Sequence, residues 1–157
     1  MKKKQEKDPK EMRHGYTTGA NATAATKAAL LSLLLQKEVK EVTTKLPNGD
    51  IVTFRMESVS FDNIKAEAVI IKDGGDDPDA THGAEIVSTV RLTEDEGIHL
   101  DGGIGVGRVT KPGLPVAVGE AAINPVPRKT IMEIALEVLE DFKVERGVSI
   151  IISVPDG

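Results

Sequence analysis

The run Gly102-Gly103-Ile104-Gly105-Val106-Gly107 is the stretch best suited to hold a ligand by its backbone. Residues without a Cβ let amide groups approach phosphate or carboxylate oxygens closely. Its spacing does not give the familiar nucleotide loops. A dinucleotide fingerprint begun at Gly103 needs glycine where Arg108 stands, and one begun at Gly105 needs it where Thr110 stands. A Walker A loop needs Lys-Ser or Lys-Thr after its glycines, and the chain supplies Arg108-Val109. Pro112 and Pro115 also oppose the helix whose start would hold phosphates. A glycine-rich turn or bulge with no ligand is the alternative for this segment taken alone.

A second candidate is Lys72-Asp73-Gly74-Gly75-Asp76-Asp77-Pro78-Asp79, with four carboxylates in seven residues. That density suits a hard cation, or the hydroxyls of a ribose and an amine. The calcium loop of an EF-hand would place glutamate at its twelfth position, which counted from Asp73 is Ala84. A solvated acidic turn is the alternative. Arg108, Lys111, Arg128 and Lys129 lie among glycine and proline loops, where they could clamp an anionic substrate or simply be surface charge. His14, His82 and His99 show no metal-binding spacing, and no serine-hydrolase elbow is present.

These segments need elements to position them. Thr17 or Thr18 is a plausible cap for a helix over residues 21–36, rich in alanine and leucine. Leu30, Leu31, Leu34 and Leu35 are expected to form its buried stripe, with Lys27, Ser32 and Gln36 facing outward, and the helix to pack on a sheet. The segments 42–46 and 51–56 flank Pro47-Asn48-Gly49-Asp50, which predicts a hairpin. Strands are expected over 64–71 and 86–92, and short strands and tight loops over 97–119. A second helix opens at Pro127-Arg128, followed by a buried central strand over 147–154. The expected class is α+β, with residues 1–13 a flexible tail and 14–157 one domain. Because the last strand has only three residues after it, the chain is expected to be part of a longer protein.

Composition narrows the chemistry. The chain has 157 residues and no cysteine, which excludes thiol nucleophiles, disulfides and thiolate metal sites within it. It carries 25 acidic against 20 basic residues and four aromatics, so neither a phosphate-tracking face nor a base-stacking platform stands out. No nucleic-acid partner is expected. No apolar run approaches the ~20 residues of a membrane-spanning helix, and a cytoplasmic location is expected.

Four stretches in order resemble the CbiD family of cobalt-precorrin-5B C1-methyltransferases. They are Gly15-Tyr16-Thr17-Thr18-Gly19, Lys72 to Thr81, Gly103 to Leu114, and Ala122-Ile123-Asn124-Pro125-Val126-Pro127-Arg128. Two departures are visible: Asn21 stands where many relatives have cysteine, and Gly74 where they often have alanine. The resemblance implies an α+β fold similar to the second domain of ribosomal protein S5. It also implies methyl transfer from S-adenosylmethionine to C1 of a cobalt-containing corrinoid precursor in cobalamin biosynthesis. It suggests Asp73, Asp76, Asp77, Gly103, Gly105 and Gly107 for the cofactor, and Thr17, Thr18, Arg108, Lys111 and Arg128 for the substrate. No metal ligand and no catalytic base is assigned, and self-association is possible. A phosphate-binding small-molecule enzyme and a non-catalytic tetrapyrrole-binding module are the alternatives.

Overall fold

The computed structural model describes residues 17–72, 83–106 and 125–155. Helix α1 (Thr18–Leu35) begins at Thr17, whose Oγ1 accepts the Ala20 N–H at 3.0 Å and whose carbonyl accepts the Asn21 N–H at 3.0 Å. The first of these satisfies an otherwise orphaned amide, and the second is the opening bond of the helix. The helix stops at Gln36, which turns left-handed with φ 55°.

Of the expected leucine stripe, Leu30 is fully buried and Leu31 and Leu34 are partly buried against the core, but the stripe is not all that buries α1. Residues 21–26 are buried one after another, through more than a full turn, so the helix is enclosed on every side. Ser32 is fully buried rather than outward-facing, and its Oγ accepts the Val39 N–H at 2.9 Å, tying the chain leaving the helix back onto it. Leu35, expected in the core, is 43% exposed. Leucine repeats marked one face, but the alanines and threonines upstream pack on neighbours that lie far away in sequence.

Those neighbours are a sheet, a hairpin and a second helix. Strands β1 (Glu41–Lys45) and β2 (Ile51–Arg55) pair antiparallel as a two-stranded sheet closed at Asn48-Gly49, as the sequence predicts. Gly49 sits at φ 95°, and the Asn48 side chain accepts the Asp50 N–H at 3.0 Å. Val42, Leu46 and Phe54 are buried from this hairpin, and Lys27 Nζ reaches the Thr43 carbonyl at 2.6 Å to fasten it to α1.

The main sheet holds β3 (Ser58–Phe61), β4 (Lys65–Ile71), β5 (Glu85–Thr93), β6 (Ile98–Gly102) and β7 (Gly147–Ser153), in the order β3-β4-β5-β7-β6. Every pair is antiparallel except β6 and β7, which are parallel and joined through helix α2 (Pro125–Asp141). Ala66, Ala68, Ile70, Ile86, Val90, Val148, Ile150 and Ile152 form the buried face. Alanines on α1 meeting Ala66 and Ala68 allow close helix-to-sheet approach. Buried between them, Thr26 Oγ1 donates to the Ala22 carbonyl at 2.8 Å and meets Ser88 Oγ at 2.7 Å, so the Ser88 hydroxyl is the donor of that pair.

The apolar run over 147–154 predicts a central strand buried on both faces. β7 is interior in strand order, but Ile151 is 37% exposed, so only one of its faces is fully covered. The apolar run Ile150-Ile151-Ile152 masked an alternating strand. Ile131, Ala135, Val138 and Leu139 of α2 are buried as their helical spacing predicts, while Phe142 lies beyond the helix and is 37% exposed.

Candidate functional site

The register of the sheet brings distant segments to one end. Ile71 pairs with Glu85, Val87 with Ser153, and Ile152 with Gly102. The residues leaving β4, entering β5, leaving β7 and leaving β6 therefore share an edge of the molecule. α1 starts at that same end. Its middle meets Ser88 near the start of β5, while Gln36 at its far end donates to the Asp62 carbonyl at 3.0 Å, beside the start of β4. α2 starts there too, because a Cβ built on Gly19 would lie 2.6 Å from Pro127 Cβ. Glycine is a poor residue for the first turn of a helix unless something requires its bareness, and here the second helix does.

The glycine segment forms a tight turn held against β7. The Gly103 N–H donates to the Ile152 carbonyl at 2.8 Å, the Val154 N–H to the Ile104 carbonyl at 2.7 Å, and the Val106 N–H to the Gly103 carbonyl at 3.2 Å. Gly105 sits at φ 79°, as the third position of a type II turn requires. A Cβ there would fall 1.7 Å from the Val154 carbonyl oxygen, and one on Gly103 2.4 Å from Ser153 Oγ. Both glycines thus have a reason inside the protein: Gly105 lies against the Val154 backbone, and Gly103 against the side chains of Ser153 and Ile151. Gly105 keeps an exposed side toward solvent.

Of the residues singled out from sequence, Thr17, Thr18, Gly103, Gly105 and Arg128 come together at this end. Thr17 spends its oxygen on the helix cap; Thr18 is exposed; Arg128 is half-buried in the first turn of α2. Asp73, Asp76, Asp77, Gly107, Arg108 and Lys111 lie outside the described residues. The residues flanking those segments are described, and they stand at the same mouth: the Lys72 N–H donates to the Ala84 carbonyl at 2.8 Å, and Val106 follows the glycine turn. Neither helix has an acidic residue in its first turn, so neither helix start itself opposes an anion. The Gly19–Pro127 contact escaped the sequence reading, although a glycine one residue inside a helix start was its signal. Among the described residues no group of three or more His, Asp and Glu side chains is placed to hold a metal ion, and no helix is long and apolar enough to cross a membrane.

The architecture is of the mixed α+β class, with a mouth where a parallel strand pair ends and two helices begin. The model of the CbiD family matches residues 5–157, and the chain belongs to that family. A cobalt-precorrin-5B C(1)-methyltransferase of Geobacillus sp. (strain WCH70) is 63% identical over 94% of this chain and 40% of the relative. One of Priestia megaterium is 56% identical over 96% of this chain and 41% of the relative. The crystal structure of the cobalamin biosynthesis protein CbiD from Archaeoglobus fulgidus is similar with a TM-score of 0.66 and 32% identity, covering 93% of this chain and 45% of that one. The chain spans about 40% of the length of the curated relatives it matches.

Proposed function

We propose that this chain takes part in methyl transfer from S-adenosylmethionine to C1 of cobalt-precorrin-5B, giving cobalt-precorrin-6A in cobalamin biosynthesis in the cytoplasm. The observation that carries the reading is the meeting of Thr17-Thr18-Gly19, the Gly103 turn and Arg128 at one mouth, in a chain 63% identical to a relative bearing that name. The fold proposed is that of the second domain of ribosomal protein S5.

S-adenosylmethionine, when bound, supplies an electrophilic methyl group: C1 contributes the electron pair of the new C–C bond, and the S–CH3 pair stays on sulfur. The protein's task is then alignment of two bound molecules rather than strong acid or base chemistry. Arg128, with Arg108 and Lys111, would take carboxylates of the macrocycle as charge-assisted pairs, helped by the bare helix starts and the Thr18 hydroxyl. The exposed side of Gly105 leaves room for an edge of the cofactor, with Asp73, Asp76 and Asp77 proposed for its amine and ribose.

Isothermal titration tests the binding half. Wild type should bind S-adenosylhomocysteine, and should bind cobyrinic acid, a cobalt corrin bearing carboxylates, with Arg128→Ala weakening the latter roughly tenfold or more. A methyl-transfer assay with cobalt-precorrin-5B tests the chemistry. Absence of binding to either ligand would overturn the reading.

A further inference from the structure

Ile104 is 72% exposed. A single exposed aliphatic residue is ordinary, but two features set this one apart. Its backbone cannot swing the side chain inward. The carbonyl is held by Val154, the preceding glycine is bonded to Ile152, and the following glycine is wedged against the Val154 carbonyl at φ 79°. The turn therefore presents a branched apolar side chain on a rigid mount. The second feature is place: Ile104 follows the carboxyl end of β6, at the mouth where α2 also begins, and Val126 in the first turn of α2 is itself 60% exposed.

A corrin is a broad apolar ring edged by carboxylates, so a site for it needs an apolar contact as well as cations. We propose that Ile104 is that contact, a specificity-determining residue that packs on the ring while the charged groups hold its rim, with Val126 adding to the same apolar lip. This inference rests on the corrinoid reading above and deepens it. Among the described residues the fold does not use the side chain: Ile104 is absent from the core and from the partly buried residues packed against it.

The test is isothermal titration of the chain with cobyrinic acid. Ile104→Asn should weaken binding about tenfold, the loss expected when one aliphatic side chain no longer packs on the ring. Ile104→Leu should stay within about twofold. Ile51→Asn, which changes an equally exposed isoleucine on the β1–β2 hairpin, should change nothing. Since asparagine is tolerated in turns, the melting temperature of Ile104→Asn should match wild type. If wild type and Ile104→Asn bind alike while Arg128→Ala binds weakly, the corrinoid reading stands and this inference is wrong. If wild type does not bind, both fall.

Discussion

Gly105→Ala should destabilise the chain far more than its size suggests. Two costs combine. An L-residue held at φ 79° pays roughly 1–2 kcal/mol for the left-handed conformation. The new Cβ would lie 1.7 Å from the Val154 carbonyl oxygen, and backbone must move until that distance exceeds 3.0 Å. Such a shift breaks the 2.7 Å bond from the Val154 N–H to the Ile104 carbonyl, about 1 kcal/mol more. The sum is about 2–3 kcal/mol, or roughly 4–12 °C in melting temperature for a chain of this length. Gly49→Ala is the internal control, since Gly49 has φ 95° with no atom within 4 Å of its added Cβ. That variant pays the conformational cost alone, roughly 1–2 kcal/mol. Thermal and urea unfolding followed by circular dichroism would compare the two. If Gly105→Ala melts no lower than Gly49→Ala, the turn relaxes away from β7 freely, and the account of why these glycines are needed fails. A role confined to ligand approach would also leave the melt of Gly105→Ala no worse than the control.

Thr26→Val should cost about 1–3 kcal/mol in urea unfolding, because it strands the buried Ser88 hydroxyl. Ser88→Ala should cost less, since Thr26 keeps its bond to Ala22, and the double variant should lose less than the two single losses together; strict additivity would contradict the pairing. Asp62 makes stability depend on acid. Its carboxylate accepts the N–H groups of Ile64 and Lys65, each at 2.8 Å, and these bonds hold its pKa below the ordinary value of 3.8. A group with a lowered folded-state pKa contributes stability that is full above about pH 4 and is lost as the pH falls through that lowered value. The melting-temperature gap between wild type and Asp62→Ala should therefore narrow below about pH 4, and a gap constant into strong acid would refute the two bonds.

Local chemistry wrote much of this protein in advance. Asn48-Gly49 closes the first hairpin, Thr17 caps α1, Ala66, Ala68 and Ile70 alternate along β4, and Ile131 to Leu139 repeat at helical spacing along α2; each of these signals acts within a few residues. The family, too, was legible in four short stretches. What the sequence did not reveal depends on partners remote along the chain. The short strand β3 alternates serines with Val59 and Phe61, and it becomes a strand by pairing with β4; β6 falls among the short strands expected over 97–119, but its parallel pairing with β7 does not follow from its own residues. Burial of α1 on every side, including Ser32, is set by the sheet, hairpin and second helix that enclose it, and no periodicity within the helix encodes that. The glycines of residues 103–105 read as a ligand loop, and only the arrival of β7 and Val154 shows that Gly103 also makes room for the Ser153 side chain and Gly105 for the Val154 backbone. The mouth itself is a product of register and helix direction: each motif carries its own chemistry, but pairing across the sheet decides that the described ones share an end.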